Sequence, residues 1–367
     1  MKKTLITLAV LAAATGVAQA QSSVVIYGTV DAGFVSERGG KAGTTNKIDS
    51  GVASASRLGF KGTEDLGSGL SALFVLESGF KVDSGSQDGD ALFGRQAYVG
   101  LSSKTAGTVT LGRQYTPWYN TLSKVADPFA AGYAGSAKNL FPAGTTRTSN
   151  TVMYSSPNFS GFDADVSYSA ANNGTESNVS SKIGRQMGAS VGYANGPLNA
   201  RLAYNNTSND KQVGLTTTVA EAGSARNWLA AANYDFAVAK AYVAYGVNKG
   251  NNSSTRNNAS AGDLFNIAST GGLTNDSTTA LIGATVPVGP AGTVMASFIH
   301  VNDKNGASNA DANQFAVGYS YALSKRTSTY ASYAKISNKN NAGYTVGNNS
   351  NVGSGDQAFN VGVRHSF

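Results

Sequence analysis

Ala358-Phe359-Asn360-Val361-Gly362-Val363-Arg364-His365-Ser366-Phe367 decides the fold. Phe359, Val361, Val363 and Phe367 share one parity, and Asn360, Arg364 and Ser366 share the other. Successive side chains of a β-strand point to opposite faces, so the stretch predicts a strand with one apolar and one polar face. A soluble sandwich or adhesin would turn that apolar face into a core, yet only 41% of the residues are hydrophobic. An apolar-out, polar-in strand ending on Phe suits a wall between lipid and water.

Stretches of the same kind recur over 24–34, 57–66, 70–80, 92–102, 108–115, 151–155, 162–169, 186–193, 198–205, 228–235, 239–249, 279–287, 293–302, 314–322, 327–335 and 358–367. The connections alternate between tight ones, such as Gly67-Ser68-Gly69 and Asn195-Gly196-Pro197, and long ones rich in Asn, Ser, Gly and Thr, such as 250–277 and 337–357. Short turns at one end and long loops at the other are the pattern of outer-membrane barrels, and they put both termini on the periplasmic side. In hydrocarbon each backbone N–H and C=O needs a partner within the protein, so a sheet there has no permissible edge and closes. The expected fold is therefore all-β, a 16-stranded antiparallel transmembrane barrel, and about 16 strands leave an aqueous channel where about eight do not.

The chain begins with Lys2 and Lys3, an apolar run from Leu5 to Ala14, and Ala18-Gln19-Ala20. This is the pattern of a signal peptide over 1–20, leaving 21–367 as the barrel. The apolar run is shorter than the ~20 residues of a membrane-spanning helix. Without a cysteine, the fold draws nothing from disulfides. The formal charge of +7 drops to +5 without Lys2 and Lys3, and its scattered cations in an exported chain do not point to nucleic acid.

Ser56-Arg57-Leu58-Gly59-Phe60-Lys61-Gly62-Thr63-Glu64-Asp65-Leu66-Gly67-Ser68-Gly69-Leu70 resembles the second hairpin of the Gram-negative general porins of β-proteobacteria. Tyr27-Gly28, Arg95-Gln96-Ala97-Tyr98-Val99-Gly100-Leu101, Gly112-Arg113-Gln114-Tyr115 and the terminal Phe367 extend the resemblance along the chain. It implies an outer-membrane homotrimer with one pore per subunit, open to small ions and hydrophilic solutes and surrounded by lipid and lipopolysaccharide. It also implies a third loop, over 116–149, that folds inward and narrows the channel, and a Phe367 read by the barrel-assembly machinery. No cofactor is expected.

The parity of Leu58 and Phe60 turns Arg57 and Lys61 to the lumen. By the family pattern Arg95 and Arg113 join Arg57 on the wall facing the loop, and Arg147 completes the cluster. Glu77 matches a lumenal acid, and Asp127 is the one acidic residue between Thr116 and Ser149. A basic wall facing a thinly acidic loop predicts a transverse field and a preference for anions. Two other readings carry less. Trp118, Tyr119, Phe129, Tyr133 and Phe141 suit a sugar-selective slide or a loop anchor. His300, placed near Asp303, and His365 are the only histidines, with no nucleophile motif to make an enzyme. Asp163 and Asp165, or Asp88 and Asp90, have no cation-loop spacing and are taken as solvated turn acids.

Overall fold

The computed structural model describes residues 23–40, 43–142, 146–170, 184–208, 211–212, 219–220, 223–250, 253, 276–304, 309–340, 342–346 and 355–367. The expected signal peptide lies outside them. The strands are β1 (Ser23–Gly40), β2 (Gly43–Ser50), β3 (Arg57–Gly67), β4 (Leu70–Gly79), β5 (Gln96–Ser103), β6 (Gly107–Tyr115), β7 (Arg147–Ser155), β8 (Phe162–Ser169), β9 (Gln186–Asn195) and β10 (Leu198–Ser208). A two-residue ribbon follows, β11 (Lys211–Gln212) with β12 (Val219–Ala220). Then come β13 (Ser224–Asp235), β14 (Lys240–Lys249), β15 (Ser277–Val288), β16 (Gly292–Asp303), β17 (Ala312–Ala322), β18 (Thr327–Asn338) and β19 (Gln357–Ser366).

Apart from the ribbon, these strands form one antiparallel sheet whose last member returns to the first. β1 and β19 pair from Thr29 opposite Ser366 to Arg38 opposite Gln357. Phe367 and Gly28 then exchange backbone bonds of 3.1 and 3.2 Å, sealing the ring. β2 and β3 occupy one place in it: Ala32–Gly40 of β1 pairs with β2, and Ser23–Thr29 pairs with β3. Counted around the wall, the barrel is closed and 16-stranded. Each segment expected from the sequence is present. β2 was not expected, because Gly43-Thr44-Thr45-Asn46-Lys47-Ile48-Asp49-Ser50 has too little apolar alternation to read. β7 begins at Arg147 rather than Thr151, with Asn150 at a φ of 52° interrupting its parity.

Alternation sets the two faces. In β13, Arg226, Trp228 and Ala230 are exposed outside while Asn227, Leu229 and Ala231 are buried inside. Ile282, Val99 and Phe315 are more than half exposed on the outer face. In water such a surface would be an aggregation liability; against lipid it is the solvated side.

The interior is asymmetric. From Thr116 the chain enters the lumen, with Pro117 opening a helical turn, Pro117–Thr121, capped by Thr116 Oγ1 accepting from the Tyr119 N–H at 3.1 Å. It continues through a π-turn, Leu122–Ala126, and a 3₁₀ turn, Ala137–Asn139. Trp118, Leu122, Phe129, Leu140 and Phe141 of this loop are buried against Leu229, Ala244, Leu281, Ala316 and Ala334 of the wall. Fully burying a large apolar side chain stabilises by about 1.5–3 kcal/mol, so five of them hold the loop to that side. The wall leaves room for them: a Cβ on Gly283 would stand 2.8 Å from the Pro128 ring, and one on Gly318 would stand 2.9 Å from the Phe129 ring. Polar clips finish the docking, with Asn139 Nδ2 donating to Gln314 Oε1 at 2.8 Å and Asn233 Nδ2 to the Val125 carbonyl at 2.9 Å.

Candidate pore constriction

The loop covers one side of the lumen, and between it and the β2–β7 wall remains a chamber of about 730 Å³. Six cations line it, Arg57, Lys81, Arg95, Lys124, Lys138 and Arg147, against three carboxylates, Asp49, Glu77 and Asp88. Asp49 is already paired with Lys47 at 3.3 Å. Positive charge therefore dominates this chamber.

The wall side is a ladder in which each strand supplies one inward group. Gly59 lies opposite both Tyr27 and Glu77. Because it has no Cβ, the Tyr27 ring can lie across β3, where a Cβ would meet it at 2.4 Å. The Tyr27 hydroxyl thereby reaches Glu77 and donates to it at 2.9 Å. Glu77, buried at 4% exposure, also accepts from Arg95 Nε at 2.7 Å and pairs with Arg57 Nε at 3.8 Å. Arg95 donates onward to the Tyr115 hydroxyl at 2.6 Å, and Arg147 donates to the same oxygen at 2.8 Å, with its guanidinium 4.5 Å from the Tyr115 ring centroid. Tyr115 stacks on Tyr119 of the loop, 5.3 Å between centroids. Three guanidiniums are thus held in a row by one carboxylate and one phenol.

A second inward segment supports this row. Residues 51–56 leave the wall between β2 and β3, and the Asp31 carboxylate accepts the N–H groups of Val52, Ala53 and Ser54 at 3.0, 3.3 and 3.0 Å. The Tyr330 hydroxyl donates to Asp31 at 2.7 Å from across the seam. The segment meets the loop where the Tyr133 N–H donates to the Val52 carbonyl at 2.8 Å, and it holds Arg57 through the Ala55 carbonyl at 2.9 Å and Ser54 Oγ at 3.1 Å. Segment, loop and arginine row form one bonded unit.

Of the residues expected at the constriction, Arg57, Glu77, Arg95 and Arg147 line this one chamber. Lys61 faces the lumen but sits over the Tyr27 ring, 5.3 Å from its centroid, outside the chamber lining. Arg113 is tied to the Gly94 carbonyl at 2.7 Å and to Ser149 Oγ at 2.8 Å, and it too is outside the lining. Asp127 does not oppose the arginines: its carboxylate points into the loop, accepting the N–H groups of Phe129, Ala131 and Ala137 at 2.8–2.9 Å. These bonds hold Ala130, Ala131 and Tyr133 at positive φ, which costs roughly 1–2 kcal/mol per non-glycine residue. Burial pushes the Asp127 carboxyl up to about 6. The loop's contribution to the chamber is instead Lys124 and Lys138, whose ammonium at 138 is held below the usual lysine range by burial and then by Arg147. A charge count of the loop, two lysines against one aspartate, was the available signal for them.

Of the two readings of the loop aromatics, burial favours the anchor over the slide: Trp118, Phe129, Tyr133 and Phe141 are buried and only Tyr119 reaches the chamber. Two other expectations are corrected. His300 shares the outward face with Phe298, 2.7 Å from Asn313 Oδ1, while Asp303 points inward. Asp163 and Asp165 lie on β8, not in a turn, and both pair with Arg201, Asp165 at 3.0 Å.

The Gram-negative porin family profile matches residues 7–341. An outer membrane porin protein of Bordetella pertussis is 35% identical over the full length of both chains. Outer membrane porin protein 32 of Delftia acidovorans is 33% identical, again over all of each. Among solved structures, an anion-selective porin from Comamonas acidovorans superposes with a TM-score of 0.74 at 29% identity, covering 95% of this chain and 100% of that one.

Proposed function

The chain belongs to the Gram-negative porin family, and from that premise we propose that its channel prefers anions and sets this preference at Arg57, Arg95 and Arg147 with Lys124 and Lys138. It is an outer-membrane diffusion channel and not an enzyme. The observation that carries the anion preference is the lining itself, six cations against three carboxylates with the most buried carboxylate enclosed by two guanidiniums. Charges beyond about 8–10 Å are screened at physiological ionic strength, so those at the narrow section dominate. The name of the Comamonas relative points the same way.

The expected field is not that of a basic wall against an acidic loop but of a positive ring, because the loop presents lysines. An anion crossing it exchanges water for guanidinium, ammonium and phenol donors, while a cation is repelled from both sides. Lys61 and Arg113 bias the approach rather than the narrow section. We also assign a homotrimer, on the family resemblance, and a role for Phe367 in assembly, since its ring is exposed on the lipid side at the closing seam.

Reversal potentials of the refolded protein in planar bilayers between unequal potassium chloride solutions test the assignment. A chloride-side potential that weakens in Arg95→Gln and Arg147→Ser supports it; a potassium-side potential in the unaltered channel overturns it.

A further inference from the structure

On the 3₁₀ turn of the inward loop, Ala137 and Asn139 are buried against the wall, and Lys138 between them turns to the chamber. Three residues per turn set neighbouring side chains about 120° apart, so burying two of them aims the third the other way. The turn is fixed at each position. The Asp127 carboxylate accepts the Ala137 N–H at 2.8 Å, Ser136 Oγ accepts the Lys138 N–H at 3.3 Å, and Asn139 Nδ2 donates to the Ala134 carbonyl at 2.9 Å.

The Lys138 amine enters a crowd of positive charge, since Arg95, Arg147 and Lys124 line the same chamber. Among the described residues no carboxylate forms an ion pair with it. Glu77 is enclosed by Arg57 and Arg95, and the Asp127 oxygens are turned to backbone N–H groups. Burial, then Arg147, and more weakly Arg95, hold the amine below the usual lysine range against an opposing pull from Asp127. A lysine desolvated beside other cations keeps a larger unprotonated share near neutral pH, and the unprotonated amine is the nucleophile. The neighbouring guanidiniums suit a carboxylate. Arg95 Nη2 and Arg147 Nη2 both donate to the Tyr115 hydroxyl, which sets them side by side, and the buried Arg147 Nε has no acceptor among the described residues.

We propose that Lys138 is a modification site that forms a reversible imine with small 2-oxo carboxylates entering the channel, the carboxylate lying on Arg95 and Arg147 while the carbonyl carbon faces Nζ. The Nζ lone pair adds to the carbonyl carbon, and the carbonyl oxygen leaves as water carrying the two amine hydrogens. Amine and carbonyl thus become imine and water, with no oxidant or reductant, and water reverses the step. The adduct brings a carboxylate among the chamber cations and occupies part of the lumen. The site rests on the positive chamber assigned above and deepens that reading by naming a solute class for it.

The test incubates the refolded protein with glyoxylate and cyanoborohydride, which reduces the imine to a stable carboxymethyl-lysine, and locates the label by peptide mass spectrometry. Lys138 should label about tenfold or more faster than the exposed Lys104 and Lys325, because the bound carboxylate holds the carbonyl beside the amine. The preference should shrink in Arg147→Gln and with acetaldehyde, which has no carboxylate. Unitary conductance should fall on treatment of the unaltered channel and stay unchanged on treatment of Lys138→Arg. Labelling of Lys138 no faster than that of Lys104 and Lys325 overturns the site without any variant having to fold. An equal preference with acetaldehyde overturns the part given to the carboxylate. The reversal potential of the untreated protein keeps the two readings apart: a chloride-side potential with unselective labelling sinks this site alone, and a potassium-side potential sinks the anion preference.

Discussion

Glu77→Gln tests the electrostatics of the constriction, because it removes one charge while keeping the shape of the side chain and one of its two acceptor oxygens. In the structure this carboxylate is enclosed by Arg57, Arg95 and the Tyr27 hydroxyl. An ion passing about 6 Å from a unit charge in water gains or loses about 0.7 kcal/mol. Screening over a Debye length of about 8 Å reduces that to about 0.3 kcal/mol, or about 1.7-fold in local concentration. Since the substitution raises the anion and lowers the cation together, the chloride-to-potassium permeability ratio should rise about threefold, and more where the chamber walls lower the effective dielectric. The assay is the reversal potential across a bilayer holding the purified variant, with single-channel conductance as the check that the pore is intact. A ratio that stays put, or moves toward potassium, would refute the idea that net charge in this chamber sets selectivity.

Asp31→Ala removes the acceptor of three backbone N–H groups and a tyrosine hydroxyl at a site with no exposure. It should release residues 51–56 and raise conductance, with a stability loss of roughly 3 kcal/mol read from the heat stability of the folded barrel; Tyr330→Phe should give a fraction of both. Gly318→Val should push Phe129 off the wall, since the new side chain begins 2.9 Å from that ring. Its readout is a changed unitary conductance in a barrel that still folds. The Asp127 carboxyl, raised to about 6 in the folded loop from an ordinary value near 3.8, binds protons more tightly when folded. Its stabilising contribution is thus fullest below about 4 and is lost as pH rises through about 6. Heat stability of the unaltered protein relative to Asp127→Asn should fall between about pH 4 and about pH 7, and a gap that widens over that range would contradict the assignment.

The wall was legible because parity is a property of the strand alone. Leu58 and Phe60 on one side place Arg57 and Lys61 on the other, whatever surrounds them. The loop has no such period, so nothing local says where the Asp127 carboxylate points. That is decided by three N–H groups contributed by the turns around it, and those turns are in place only once the loop is docked. Tyr27 and Asp31 were missed for a related reason: their roles depend on Gly59 and on residues 51–56 being brought alongside by closure. Leu229 and Ala231 show a signal that was present and unread. Over 228–232 of β13 both faces are apolar, and an inward face that loses its polarity in a water-filled barrel marks the stretch of wall against which something is packed.

That packed stretch divides the lumen into halves with different histories open to them. Around β13–β18 an inward side chain must be small enough to admit Pro128, Phe129 or Phe141, so substitution there is judged by fit, much as in the core of a soluble domain. Around β3–β7 the inward side chains meet solvent and solute, and substitution there is judged by what passes. A lineage adapting this channel to new solutes, or an engineer doing the same, therefore has only one half of the interior to vary, and the other half records how the loop is held rather than what the channel carries.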